Sequence, residues 1–386
     1  RRMRADEARS KKRKIEVDAK QGTQKIQKQD PRVDADYFDG YSGIEIHQDM
    51  LKDRVRTEAY RDALLENADS IKGKAVLDVG CGTGILSLFA MDAGARVVYA
   101  VDASKMADYT KRIVKANNAD HVVKVIKGKI EDIELPEKVD VIVSEWMGYF
   151  LLYETMLDSV LIARDRWLKP GGKMFPTKAK LMLGAFTWPE YYRENLGYWT
   201  SVYGKDFTAL LPLASRTHLE RPVIDVITPQ QEVTDCAVIR DIDLLTAQKH
   251  EFKSWSSDFR VEAIINAPIH GLCAHFEVEF PAPRELDQTL PETKVVDKRK
   301  RKQSGRKRGL VLSTAPDGEE THWAQTLFFF DLPLRVLQDD VVEGRIDVAT
   351  NSFNPRLLDI VLEWNKTGAP GGPPNSACKK KKFIFD

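Results

Sequence analysis

The sequence predicts an α/β chain in two parts, a parallel sheet flanked by helices and then a mainly antiparallel, barrel-like β unit. Three observations carry this. Short β-rich runs alternate with helical stretches from Ala75 to about Gly172. Past about Lys178 that rhythm stops, and strand-like runs follow one another with little helix between. The length of 386 residues also exceeds the roughly 100 to 200 of one domain, so two packed units are expected.

Residues 1–33 read as a disordered basic tail. Lys11-Lys12-Arg13-Lys14 stands there among almost no large apolar side chains, too few to offset the entropy of ordering. A first unit is expected over 34–177. Met50, Leu51, Val55, Ala59, Tyr60, Ala63 and Leu64 recur at intervals of three and four, which predicts one amphipathic helix from Gln48 to about Asn67. The runs VLDV, VVYAV, VKVI and VDVIVSE are expected as parallel strands, with helices over Gly84 to Asp92 and Lys105 to Asn117 between them. Leu168-Lys169-Pro170-Gly171-Gly172 reads as a helix stop and tight turn before one further strand, MFPTKAKLML.

A second unit is expected over 178–386, where AVIRDIDL, FRVEAIIN, CAHFEVEF, WAQTLFFF and GRIDVAT alternate as antiparallel strands do. Trp188 to Leu211 interrupts them with aromatic, helix-compatible sequence that reads equally as core or as contact surface. The 292–309 segment holds a second basic run, Lys298 to Arg308, and Lys379 to Lys382 form a third. Such runs serve as solvated loops, or as nuclear targeting or capture of acidic partners such as RNA.

Apolar residues at 42% and charged residues at 30% are those of a soluble globular chain. No window approaches the roughly 18 apolar residues of a membrane span, so no membrane association is expected. Cys81, Cys236, Cys273 and Cys378 lie far apart without zinc-finger or CxxC spacing, which suggests no metal, no disulfide framework and a reducing compartment. Arg1-Arg2-Met3 has no apolar run behind it, which argues against a secretory signal and for a sequence that starts inside a longer chain.

The first chemical signal is Val76-Leu77-Asp78-Val79-Gly80-Cys81-Gly82-Thr83-Gly84, a buried strand entering a glycine-rich turn and a helix. Glycine lets backbone amides approach a ligand with no Cβ in the way. The spacing is GxGxG, not the dinucleotide GxGxxG, and Asp102 follows at the tip of the next strand, where a carboxylate accepts from both ribose hydroxyls. The pair points to an adenosyl ligand, with S-adenosylmethionine ahead of the alternatives.

These residues resemble motif I of the seven-stranded, Rossmann-like methyltransferases, and the chain from about Tyr37 to Asp386 resembles the type I protein arginine methyltransferases. VLDVGCGTGIL, VDVIVSEWMGYFLLYETML and Thr321-His322-Trp323 carry the resemblance. Lys105 to Gly171 and the ending KKKKFIFD are most similar to a plant-type subfamily.

The resemblance implies transfer of methyl groups from S-adenosylmethionine to arginine guanidinium nitrogens in proteins, giving monomethyl and asymmetric dimethyl products. It places cofactor contacts at His47, Met50 and Arg56, with Arg56 on the methionine carboxylate. Asp78 and Gly80 fall at the amino-acid end, Asp102 at the ribose, where most members carry Glu, and Glu131 at the adenine amino group, with Gly82 a further cofactor contact. From the residues alone, His47 reads equally as a helix-cap residue and Arg56 as a solvated charge.

Glu145 ends the VDVIVSE strand and Glu154 follows nine residues later, a spacing that a hairpin-like loop folds back so that both carboxylates converge. Two like charges in one pocket raise one pKa unless a cation lies between them, and a guanidinium suits that place. The resemblance makes these the catalytic pair and adds His322 with Asp53, as proton acceptor or as domain latch. Met50, Asp53 and Arg56 share a face of the predicted helix at intervals of three, which makes the pairing geometrically reasonable. It further implies substrate contacts at Tyr41, Tyr149, Met156 and Trp323, with Met50 and Met156 limiting room at the target nitrogen; as bare methionines they read as packing. No metal is needed. It also implies a homodimer through a helical dimerisation arm over 188–211, substrates with glycine- and arginine-rich or basic tails, such as histones and RNA-binding proteins, and a location in nucleus and cytoplasm.

Overall fold

The computed structural model describes residues 31–283, 309–367 and 378–385. The basic tail before residue 31, the run Lys298 to Arg308 and all of the 292–309 segment except Gly309 lie outside the described residues.

The chain opens with helices α1 (Pro31–Gly40), α2 (Ile44–Lys52), α3 (Arg54–Glu66) and the short α4 (Ala68–Ile71). Where the sequence predicts one helix from Gln48 to Asn67, the structure has two. Asp53 breaks them with extended backbone (φ −66°, ψ 94°), and its side chain accepts the N–H of Arg56 to cap α3. A short carboxylate that satisfies a free helix amide competes with helix continuation, although the apolar period runs on through the break.

Then come β1 (Ala75–Val79), α5 (Ile85–Asp92), β2 (Val97–Asp102), α6 (Met106–Ala116), β3 (Val123–Lys127), β4 (Val139–Val143), α7 (Leu157–Trp167) and β5 (Leu168–Phe175). The five strands form one parallel sheet in the order β3-β2-β1-β4-β5. The described sheet thus has five strands, although its class is named for seven. All of β1 is buried, as a strand covered on both faces must be. The strand order reverses between β1 and β4, so their C-terminal ends flank the crevice where open α/β sheets bind ligands.

MFPTKAKLML is two strands, not one. β5 ends at Phe175, Pro176 supplies no amide for a ladder, and β6 (Lys178–Phe186) starts in a different sheet. After it come α8 (Pro189–Asn195), α9 (Leu211–Leu219), β7 (Val223–Asp225), β8 (Ala237–Asp243), β9 (Ser254–Glu262), β10 (Ala267–Glu279), β11 (Val311–Ser313), β12 (Gln325–Val336), β13 (Val341–Thr350), β14 (Leu358–Thr367) and β15 (Lys379–Phe385). One antiparallel sheet runs β7-β12-β10-β6-β8 with β11 beside β10, and another runs β15-β14-β13-β9.

One apolar core continues from the parallel sheet into both antiparallel sheets, and a smaller cluster around Phe186, Leu327 and Phe329 anchors the aromatic excursion. That excursion divides. Tyr191 stacks on Phe329 at 4.0 Å between ring centroids, whereas Tyr198, Tyr203, Phe207 and Leu210 face outward. Among the described residues, no helix is long and apolar enough to cross a membrane.

Candidate active site

Beyond the C-terminal ends of β1, β2 and β4 lies a cavity that collects most of the residues singled out in the sequence. His47, Met50, Arg56, Gly80, Gly82, Asp102, Glu131, Glu145, Tyr149, Glu154, Met156, His322, Trp323 and Tyr41 all line it.

Gly80 adopts φ +72°, a left-handed backbone that only glycine holds cheaply, and a Cβ there would lie 2.3 Å from the Met156 methyl. The N–H of Gly82 donates to Asp102 Oδ2 at 2.8 Å, and the backbone and hydroxyl of Ser104 donate to Oδ1 at 2.8 and 2.6 Å. The carboxylate at the tip of β2 is thereby fixed in orientation. His47 is buried, bonds the Tyr41 carbonyl through Nε2 at 2.9 Å, and sets its ring beside Gly82. Glu131 accepts from Ser159 at 2.6 Å. A glycine cradle, an oriented carboxylate and a second carboxylate fit a nucleoside with a vicinal diol and an exocyclic amine.

Asp78 departs from expectation. It lies wholly within the sheet, does not line the cavity, and accepts from Ser87 at 2.6 Å, while among the described residues its other oxygen has no partner. Burial pushes its carboxyl up to about 7, against the opposing Ser87 bond. Its side chain faces Ser87 in the first turn of α5, behind the glycine turn rather than on the cavity.

Arg56 departs too. Its Nε and Nη2 both approach Glu145 Oε2 at 3.0 Å, and Nη1 donates to the Met50 carbonyl at 3.2 Å and to Thr57 at 3.3 Å. The guanidinium edge expected on a methionine carboxylate is engaged with Glu145. Nη2 also donates to the Met50 sulfur at 3.9 Å, so all five N–H donors face acceptors within the chain.

Glu145 and Glu154 converge as the spacing predicted. Glu145 is nearly buried, with Oε2 on Arg56 and Oε1 without a partner among the described residues. Glu154 Oε2 accepts the Tyr41 hydroxyl at 2.6 Å. Burial, aided by the charge of Glu145, raises the Glu154 carboxyl above its ordinary range, while Tyr41, Arg356 and Tyr37 pull it back. The loop between the two glutamates is strained, with positive φ at Phe150, Leu151, Glu154 and Thr155.

His322 meets Asp53 as anticipated, with Nδ1 2.7 Å and the backbone N–H 2.9 Å from Oδ2. Asp53 does so from the junction of α2 and α3, not from a shared helix face. Trp323 is buried and donates to the Met147 carbonyl at 2.9 Å, so it braces the loop rather than meeting a ligand through its nitrogen. Among the lining residues that went unread in the sequence, two meet beside Glu154. Arg356 donates to the Glu154 carbonyl at 2.9 Å, and its guanidinium carbon lies 3.6 Å from the centre of the Tyr37 ring. No local pattern marks a residue that reaches Glu154 across 202 positions.

Known families supply the rest. Residues 76–172 match the methyltransferase domain family, and 177–294 with 300–369 match the arginine methyltransferase oligomerization subdomain. The chain is 47% identical over 334 residues to a probable protein arginine N-methyltransferase 6.1 of Oryza sativa subsp. japonica, covering 86% of this chain and 85% of that one. It is 41% identical to a probable protein arginine N-methyltransferase 6 of Arabidopsis thaliana, covering 87% and 80%. Among solved structures it is similar to the Trypanosoma brucei PRMT1 enzyme–prozyme heterotetrameric complex with AdoHcy (TM-score 0.77, 38% identity, 90% of this chain and all of that one). It is equally similar to Arabidopsis thaliana protein arginine methyltransferase 10 in an open conformation (TM-score 0.77, 36% identity, 91% of this chain and all of that one). Identity at this level over most of both chains, on a fold that joins a methyltransferase sheet to the oligomerization subdomain, makes the chain a member of the protein arginine N-methyltransferase family.

Proposed function

We propose that the chain is a type I enzyme that uses S-adenosylmethionine to form monomethyl- and asymmetric dimethylarginine in proteins with glycine- and arginine-rich or basic tails. The observation that carries this is the pair of partly buried carboxylates, Glu145 and Glu154, on the cavity that also holds the glycine turn and Asp102.

Bound beside Gly80 and Asp102, S-adenosylmethionine supplies an electrophilic sulfonium methyl. The substrate guanidinium is a poor nucleophile because its lone pairs are delocalised, and it stays protonated at ordinary pH. Glu145 Oε1, without a partner among the described residues, and Glu154 accept its N–H groups and draw positive charge toward the nitrogens they hold. The remaining nitrogen then carries more electron density and is oriented for in-line attack. The Tyr41 hydroxyl favours the charged form of Glu154, Arg56 holds Glu145 in place through Oε2, and Met156 bounds the space above Gly80. The His322–Asp53 pair stands ready to take the proton shed by the methylated nitrogen, and equally joins β domain to helices.

A homodimer is proposed through the 188–211 arm, supported by its outward aromatic surface and by the oligomerization subdomain. The proposed units are 34–177 and 178–386, and the basic runs support a place in nucleus and cytoplasm. Fragmentation mass spectrometry of a glycine- and arginine-rich peptide incubated with the chain and S-adenosylmethionine should find asymmetric dimethylarginine. Symmetric product would overturn the type, and an unmodified peptide the activity.

A further inference from the structure

Four residues with positive φ in a stretch of six, Phe150, Leu151, Glu154 and Thr155, hold the loop that presents the second glutamate. Such a backbone persists only where its surroundings over-determine it. Bonds within the loop, Gly148 N–H to the Leu151 carbonyl and Tyr153 N–H to the Tyr149 carbonyl, both 3.1 Å, fix its turn but not its height over the cavity.

The antiparallel sheets supply the rest. Arg356 brackets Glu154, accepting its N–H at 2.9 Å and donating a guanidinium N–H to its carbonyl at 2.9 Å. Phe150 meets Phe328 of β12 edge-on at 5.5 Å between centroids. At the end of β15, Phe385 packs its ring on Tyr153 at 4.6 Å and 30° between planes. Phe385 is 6% exposed and is registered opposite Leu358, two residues beyond Arg356, so both fixtures stand on one corner of the β15-β14-β13-β9 sheet.

From these contacts we infer that Phe385 is a positioning residue for the methyl-transfer site, which acts on Glu154 through the ring of Tyr153. It touches neither carboxylate. Its ring backs the residue just before Glu154, so a void there lets the strained turn relax toward ordinary φ and withdraws the carboxylate. The inference rests on the proposed function for its kinetic part only.

The test compares Phe385→Ala and Phe385→Tyr with Leu362→Ala, which opens a void in the core of β14, at temperatures where all are folded by circular dichroism. Hydrogen exchange of a peptide covering 148–155 should accelerate in Phe385→Ala alone, whether or not the wild type methylates the offered substrate. In an active preparation, kcat should fall by roughly 10- to 100-fold in Phe385→Ala with the KM for S-adenosylmethionine within about twofold, and Phe385→Tyr should restore it. Unchanged exchange over 148–155, or the same kinetic loss in Leu362→Ala, would overturn the inference. A wild type that methylates nothing yet shows the exchange difference would count against the proposed function and leave the positioning role standing.

Discussion

Glu154 holds its charge in an unfavourable place, half-buried and close enough to Glu145 for like charges to act on each other. Its carboxyl therefore sits above its ordinary range, and the Tyr41 hydroxyl is the principal group drawing it back down. The protonated acid attracts a guanidinium far less, so kcat/KM should fall as pH drops through this raised value. Tyr41→Phe removes the donor that favours the ionised form, and the acid limb of the pH profile should move to higher pH; a limb that stays in place would show that Tyr41 does not tune Glu154. Glu154→Gln keeps the shape and loses the charge. The turnover expected of it is lower by about 10²- to 10³-fold, the scale seen when one preorganised electrostatic contact is lost, while calorimetry should find S-adenosylmethionine binding unchanged. Near wild-type turnover in that variant would remove the two-carboxylate mechanism.

At the scale of elements, the loop from Glu145 to Glu154 turns where Gly148 passes the Tyr153 backbone, and a Cβ on Gly148 would lie 2.2 Å from the Tyr153 carbonyl oxygen. Backbone cannot swing aside as a side chain does. Gly148→Ala should therefore unseat the loop, lowering stability by about 1–3 kcal/mol in a denaturant titration and abolishing turnover while S-adenosylmethionine still binds; full activity would mean that the loop tolerates a shift of that size. Much of this element was legible. β4 stops at Val143, the end of its β-branched run, and Glu145 follows two residues later on the cavity. The glycine turn was legible for a similar reason, since its residues answer to local backbone geometry. The break at Asp53 was not, because apolar spacing continues across α2 and α3 and only the capping contact reveals the interruption. Nor was the exit at Pro176, where the strand-like segment MFPTKAKLML passes from one sheet to another, or Arg356, whose partner is set by tertiary closure alone.

The site exists only while the antiparallel sheets stay closed on the helices and the parallel sheet. Trp323 donates to the Met147 carbonyl, Asn67 to the Pro281 carbonyl and His322 to Asp53, each a bond between distant parts of the chain. Asp53 serves two of these parts at once, capping α3 through Oδ1 and holding His322 through Oδ2. Asn caps a helix nearly as well as Asp, so Asp53→Asn keeps the cap and removes the charge that His322 faces. Burial alone would raise the Asp53 carboxyl, but the bonds from the His322 ring and from the backbone of Arg56 and His322 outweigh it and hold the group below its ordinary value. A carboxyl depressed by folding stabilises the native state above its unfolded pKa, and that contribution disappears as pH falls through the folded value. Wild type should therefore exceed Asp53→Asn in stability by about 1–3 kcal/mol near neutral pH, the range of a hydrogen bond to a charged partner. The two unfolding temperatures should converge once pH falls below the usual carboxylate range of about 4. Melting curves across pH distinguish this from a purely geometric latch, because a gap that stays constant from neutral to acid pH would mean that the Asp53 charge contributes nothing to holding the molecule closed.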